Sequence, residues 1–503
     1  MSAASTSPAV LQLNAADNVA IALRKLAAGD ANAITDIPRS HKMATADIAK
    51  GEYILRYGQI IGEATQFIAK GSHVHDHNMA MSTTTADHAF ASAVKPLPEI
   101  TRDRTFQGYY REDGRVGTRN FIGVLTSVNC SGSVAKFVVD AAEKSGVLDA
   151  FPNVDGIVPI VHGSGCGMAN RGEGYDILLR TLKGYAGHPN FGGILLIGLG
   201  CEVLQLAELV GGREITNDGA LRYMTIQQTG GTKRTIDAGL EHLASLAEFA
   251  NRASRAPAPV RELVLGMQCG GSDGYSGFTA NPALGVASDL LVQHGGTSIL
   301  SETSEIYGAE HLLTSRAVTE EIGQALVDKL AWWEEYCARN NAKMDNNPSP
   351  GNKRGGLTTI LEKSLGAVSK SGQAPLSGVF DYAAPLSAKG LVFMDSPGYD
   401  PCSVTGQIAS GANLIAFTTG RGSVSGYKPT PCLKLSSNSD LFARMGDDID
   451  VNCGDIAEGY PLADKGAEIF EMLISVASGA PTKSEALGFG GVEFVPWQIG
   501  AVL

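Results

Sequence analysis

Six times along this chain a run of apolar residues ends in a glycine-rich turn, and that repetition restricts the fold more than any other feature. Phe121 to Val128 runs into Asn129-Cys130-Ser131-Gly132, and Gly156 to Val161 into His162-Gly163-Ser164-Gly165-Cys166-Gly167. Gly193 to Leu199 runs into Gly200-Cys201-Glu202. Beyond Pro259 the pattern restarts. Glu262 to Met267 leads to Gln268-Cys269-Gly270-Gly271-Ser272-Asp273, Leu391 to Met394 to Asp395-Ser396-Pro397-Gly398-Tyr399-Asp400, and Asn413 to Phe417 to Thr418-Thr419-Gly420-Arg421-Gly422. Near-continuous apolar strands alternating with helical stretches predict parallel sheets covered on both faces. Helical faces are read at Val134, Val138 and Ala141; at Ile236, Leu240, Leu243 and Ala247; and at Val318, Ile322, Leu326, Leu330 and Trp333. In such sheets ligands bind beyond the C-terminal ends of strands. All six turns fall there.

A chain of 503 residues is too long for one hydrophobic core. Residues 1–95 read as a small β-rich module ending at His73-Val74-His75-Asp76-His77-Asn78. It is expected to open with a helix of Val19, Leu23 and Leu26, capped by Asp17 or Asn18 and ended by Gly29. Lys95 to Arg104 reads as a linker. Two α/β regions follow, residues 105–255 and 260–503, with Arg255 to Pro259 as the boundary. The fold class is α/β with parallel strands, behind a β-rich N-terminal module.

A formal net charge of -12 argues against a nucleic-acid groove or an anionic membrane as partner. No apolar stretch approaches the ~20 residues of a membrane span. Met1 to Val10 lacks the basic and apolar regions of a signal peptide. Eight cysteines without framework spacing suit a reducing compartment, so a cytoplasmic protein is expected. A small anionic substrate remains open if a local basic pocket exists.

The familiar glycine motifs fail. Val203 stands where a dinucleotide fingerprint after Gly198-Leu199-Gly200 needs a small residue, and no Walker lysine is present. What remains is a set of ligand-type residues. His73, His75 and His77 alternate, so on a strand they share one face and offer imidazoles to Fe, Mn or Zn. Cys130, Cys166, Cys201 and Cys269 occupy equivalent post-strand turns; they either pack as small hydrophobes or hold iron or an iron–sulfur cluster. Glu202, Asp273, Glu302 and Glu305 are candidate ligands or proton carriers. Arg119 and Arg421 lie in glycine-rich surroundings suited to carboxylate binding. Lys353 and Arg354 precede a helix opened by Gly355-Gly356-Leu357-Thr358, whose free N–H groups would complete a carboxylate site.

These residues carry a resemblance. The segments Gly114-Arg-Val-Gly-Thr-Arg-Asn120, His162-Gly-Ser-Gly-Cys-Gly167, Gly198-Leu-Gly-Cys-Glu202, Gln268 to Gly277, Asn347-Pro-Ser-Pro-Gly-Asn-Lys353, Pro397-Gly-Tyr-Asp400 and Thr418-Thr-Gly-Arg-Gly422 resemble the altronate/galactarate dehydratase family. The likeness runs along essentially the whole chain and includes a SAF-type β domain at the N-terminus. Glu305-Ile-Tyr-Gly-Ala-Glu-His-Leu-Leu313 and the histidine-rich end of the first module are closer to the altronate branch. The resemblance implies an Fe(II)- or Mn(II)-dependent hydro-lyase that converts D-altronate to 2-keto-3-deoxygluconate, with galactarate or a sulfolactate-type substrate as alternatives. Such a reaction removes the C2 proton and expels the C3 hydroxyl. His162, Glu202 and Asp273 are the candidates for the proton transfers, and His75 and His77 for the metal. A sugar-acid-binding sensor and a structural iron–sulfur protein are the readings from other classes. A homo-oligomer is left open.

Overall fold

The structure is a computed structural model and describes residues 8–82, 88–100, 103–210, 219–500 and 502. The N-terminal module consists of two small antiparallel sheets. One contains Val10–Leu11, Val19–Ala22, Lys42–Ala44 and His73–Val74; the other contains Tyr53–Arg56, Gln59–Ala64 and Met79–Ala80. The expected opening helix is absent. Val19–Ala22 is a strand with all four residues buried, paired with Val10–Leu11 on one side and Lys42–Ala44 on the other. An apolar run this short does not distinguish a helix from a buried strand, and pairing on both edges decides the outcome. Asp17 caps no helix. Its carboxylate accepts the N–H groups of Tyr57 at 3.2 Å and Gly58 at 2.8 Å, tying the two sheets together.

A three-stranded antiparallel sheet of Ala256–Pro259, Thr105–Tyr110 and Val116–Gly117 joins the two α/β regions. The proline-rich stretch read as a boundary is thus an edge strand, where a missing N–H is tolerated.

The first α/β region is a parallel sheet in the order Gly156–Ile160, Phe121–Thr126, Phe191–Gly198, Leu221–Thr225. Helices Gly132–Ser145 and Thr232–Ala250 cover one face, where Val134, Val138, Leu243 and Leu246 meet Ile122, Val124, Leu195 and Ile197. Helix Glu173–Ala186 covers the other and packs on helix Asp400–Ala409. That contact is close: a side chain at Gly184 would strike the Ala409 backbone.

The second α/β region is a seven-stranded parallel sheet. Its order is Leu376–Phe380, Gly390–Met394, Thr297–Leu300, Val264–Cys269, Leu414–Thr419, Cys432–Ser436 and Val451–Asn452. From the central strand Val264–Cys269 the chain first builds outward on one side, then returns to add Leu414–Thr419 on the other. The crevice above those two strands is a topological switch point, the usual ligand position in such sheets. All six apolar runs are strands of parallel sheets, as the sequence predicts.

Candidate functional site

The crevice has a floor built from strand ends. Cys269 closes the central strand, Glu302 and Glu305 follow Thr297–Leu300, and Asp400 follows Gly390–Met394 at the start of its helix. Lys363 and Lys370 enter from helix Ile360–Val368 and the turn after it. Lys370 Nζ donates to Cys269 Sγ at 2.9 Å and lies 3.3 Å from Glu302 Oε2. Lys363 Nζ donates to Glu305 Oε1 at 2.6 Å, and Asn347 Nδ2 to the same oxygen at 3.1 Å. All are buried except Asp400 and Asn347, which are half-buried.

Burial, reinforced by Glu305, pushes the Glu302 carboxyl well above the usual range. It pushes the Cys269 thiol up to about 12. Asp400 is raised to about 6, first by burial and then by Glu305. Glu302 also adopts a φ of 69°, a strained conformation for a residue with a side chain. Its Oε1 is buried with no hydrogen-bond partner. Cys269, Glu302 and Glu305 bring ligand atoms within 4.8 Å of one another. Lys370, however, stands in bonding range of both Sγ and Oε2, so ammonium groups already neutralise this floor and it does not suit a divalent cation.

The N-terminal module supplies a wall of imidazoles. The strand at His73 is only two residues long, and His75 to Asn78 form a turn rather than the expected strand. The rings still gather: His73 lies 5.5 Å from His75 and 5.3 Å from His77 between centroids. His41, absent from the sequence reading, joins them at 5.0 Å from His73 and 4.8 Å from His75. It belongs to the loop before Lys42–Ala44, the strand that pairs with His73–Val74, so only the sheet register could have revealed it. Burial lowers His41 to about 4 and His73 to about 3, with neighbouring histidines adding to the effect, so both are neutral at pH 7, the form that binds metals. His75 Nδ1 lies 2.7 Å from Asp76 and its Nε2 2.9 Å from the Lys353 carbonyl, while His41 Nε2 meets the Arg354 carbonyl at 3.2 Å. The imidazole wall therefore sits on the 353–354 segment. Imidazole is a donor type that suits iron. His41 Nδ1 and His73 Nε2 bond each other at 2.9 Å, however, and no three ligand atoms of this group lie within 4.8 Å of one another, so one ion would need the rings to turn.

Cations line the rim. Arg354 and Arg421 are exposed and Lys353 is half-buried. Arg421 packs over Gly271, where an added methyl would lie 3.2 Å from its Cβ. The helix N-terminus expected to receive a substrate carboxylate already holds one. Glu362 accepts from Thr358 N at 2.9 Å and Oγ1 at 2.8 Å, and pairs with Lys42 at 2.8 Å and Arg56 at 2.6 Å.

Several sequence candidates make hydrogen bonds that tie loops together. Asp273 accepts from Tyr275 N, Ser276 N and Oγ, Ser437 Oγ and Asn438 Nδ2, all within 3.1 Å. Arg119 makes a two-pronged pair with Glu485 at 2.7 and 2.9 Å and donates to the carbonyls of Thr118, Val476 and Ala480. Its fork faces the chain's own carboxylate. In the four-stranded sheet, His162 Nε2 donates to Thr126 O at 3.1 Å and Nδ1 accepts from Ser164 N at 3.2 Å. Burial lowers its ring to about 4. Glu202 accepts from Ser127 Oγ and Gly200 N, both at 2.6 Å. The four cysteines do not share one place: Cys130, Cys166 and Cys201 lie on this smaller sheet, Cys269 in the floor of the larger one. Lys363 and Lys370 carry no local mark, and Asp400, although it ends one of the six turns, is not among the site residues singled out from the sequence. Lys363 and Lys370 are a helical residue and a turn residue that acquire their partners only through tertiary packing.

Similarity to known proteins agrees with this layout. Residues 8–82 match the "Altronate/galactarate dehydratase SAF domain", 108–251 the "D-galactarate dehydratase/Altronate hydrolase, second domain", and 260–502 "D-galactarate/Altronate dehydratase, C-terminal". Galactarate dehydratase (L-threo-forming) of Escherichia coli (strain K12) is 38% identical over 456 residues, 89% of this chain and 87% of that protein. Altronate dehydratase of Bacillus subtilis (strain 168) is 34% identical over 494 residues, and that of Escherichia coli (strain K12) 35% over 492; each alignment covers 95% of this chain and 97% of the relative. The chain belongs to the altronate/galactarate dehydratase family. Among the described residues no helix is long and apolar enough to cross a membrane.

Proposed function

We propose that this chain is a cytoplasmic lyase that dehydrates D-altronate to 2-keto-3-deoxygluconate. The observation that carries the reading is the near end-to-end match to altronate dehydratases, which spans the imidazole wall, the acid–base floor and the cationic rim alike. Galactarate is the second reading, favoured by the 38% identity to its dehydratase.

The floor supplies groups for the reaction. Asp400, with its carboxyl near pH 6, is largely ionised at pH 7 and is the candidate to accept the C2 proton. Glu302, whose carboxyl burial pushes well above the usual range, is the candidate to deliver a proton as the C3 hydroxyl leaves, and its Oε1 has no partner within the protein. Lys363 and Lys370 fix both glutamates and offset charge in a low-dielectric setting. Arg354, Arg421 and Lys353 are the candidates to hold the substrate carboxylate at the rim. His75 and His77, with His41 and His73 beside them, would hold Fe(II) or Mn(II). When bound, the metal would stabilise the negative charge that develops next to the carboxylate as the C2 proton leaves.

The test is an anaerobic assay of 2-keto acid formation on aldonates and aldarates with Fe(II) or Mn(II). D-altronate is expected to show the highest kcat/KM. A preference for galactarate would overturn the substrate assignment, and no turnover of any sugar acid would overturn the class.

A further inference from the structure

Free cysteine is among the most buried of side chains. Here Cys269, Cys402, Cys432 and Cys453 are buried and Cys337 half-buried, but Cys130, Cys166 and Cys201 are exposed. These three exceptions all lie at one place. They follow the three adjacent strands Gly156–Ile160, Phe121–Thr126 and Phe191–Gly198 at the carboxyl edge of the four-stranded sheet. Thr126 pairs with Ile197, and Cys130 and Cys201 each come four residues later, so they leave the sheet at the same level.

The turns that carry them are locked together. Asn129 N donates to Ser164 O at 2.9 Å, Leu204 N to Gly165 O at 3.1 Å, and Ser127 Oγ to Glu202 Oε1 at 2.6 Å. Gly165 has φ +97° and packs so tightly on Ser127 that any side chain would strike its carbonyl. Three loops are thus held rigidly while the cysteines they carry stay exposed, Cys201 Sγ accepting from Gln227 Nε2 at 3.3 Å, the reverse of what packing alone would select. The trio is not a set of ligand atoms within 4.8 Å of one another, so its spacing exceeds that for a single ion. A multi-iron cluster is larger and takes its thiolates at separate corners. A cavity of about 390 Å³ opens beside the Cys130 turn, lined by Asn129, Ser133, Lys136, His162, Phe494 and Gln498.

We propose that Cys130, Cys166 and Cys201 hold a [4Fe–4S] cluster at this edge. The cluster arrives preassembled on a thiolate carrier; each Fe–S bond to the carrier breaks as one to the chain forms, and each thiol's proton passes to the departing carrier thiolate, with no change in oxidation state. Three thiols serve four irons, so one iron is left for an oxygen ligand such as water or a hydroxy acid. This site is separate from the imidazole wall, and its test does not depend on which substrate is turned over.

The full chain, purified without oxygen, is analysed for iron, acid-labile sulfide and visible absorption. About four irons and four sulfides per chain are expected, with a brown colour. Cys130→Ser, Cys166→Ser and Cys201→Ser should each lose the sulfide and the band, while Cys269→Ser retains them. The three exposed positions tolerate serine without cost to the fold, which circular dichroism checks. In a second measurement the as-purified protein is alkylated with iodoacetamide before and after cluster removal by chelator. The three thiols should be shielded before and modified after, read by mass spectrometry. A colourless, sulfide-free protein, even after incubation with iron and sulfide under reducing conditions, would overturn the assignment. So would zinc in place of iron and sulfide, or sulfide that survives in the triple Cys→Ser variant.

Discussion

Replacing Glu362 with glutamine should destabilise the docking of the N-terminal module by about 3 kcal/mol. Glu362 lies on the helix that also carries Lys363, and its partners Lys42 and Arg56 come from the N-terminal module; all three side chains are at most 1% exposed. Removing one partner of a buried ion pair costs about 3–5 kcal/mol, because charge is left without compensation in a low dielectric. A second route gives a similar figure. Burial alone would raise the Glu362 carboxyl, but Lys42 and Arg56 override it and hold it at about 2 against a usual 4.5. At about 1.4 kcal/mol per unit this is about 3 kcal/mol of stability. The sign follows from the depressed value. The contribution is complete above pH 4.5 and is lost as pH falls towards 2, where the protonated carboxyl resembles glutamine. Urea unfolding of wild type and Glu362→Gln at pH 7, 5, 4 and 3 measures the difference. It should be largest at pH 7 and shrink below pH 4.5. A difference below about 1 kcal/mol at pH 7, or one independent of pH, would refute the reasoning.

Two further outcomes are expected. His75→Ala and His77→Ala should lower bound Mn(II), measured by equilibrium dialysis, and kcat together, with the circular dichroism spectrum unchanged; full metal content in both would remove the imidazole wall from the site. Because Asp400 must be ionised to act as base, kcat/KM should rise through pH 6, and Asp400→Asn should both flatten that limb and lower kcat at least 100-fold, the scale of one lost proton-transfer group.

The sheets were legible because parallel strands buried on both faces leave continuous apolar runs, and their turns concentrate glycine. The N-terminal module was harder. Val19 to Leu26 satisfies a helical spacing as well as a strand, and only the pairing of Val19–Ala22 on both edges separates the two. The site was half legible. The rim cations and the histidine triplet stand beside recognisable turns, whereas His41 becomes a neighbour through sheet register and Lys363 and Lys370 through helix packing. Arg119, read as a carboxylate binder, and Asp273, read as a proton carrier, show what tertiary packing adds: in the structure their hydrogen bonds engage Glu485 and the Ser437–Asn438 turn.

Phe494 and Gln498 wall the cavity beside the Cys130 turn, although the α/β region that carries the cysteines ends with helix Thr232–Ala250. During synthesis these two parts emerge far apart in time. At about 5–20 residues per second, the segment that closes the cavity leaves the ribosome on the order of 10–50 s after the four-stranded sheet can fold. Throughout that interval the cavity beside the Cys130 turn lacks its Phe494–Gln498 wall, and the later segment adds that wall while leaving the three cysteines exposed.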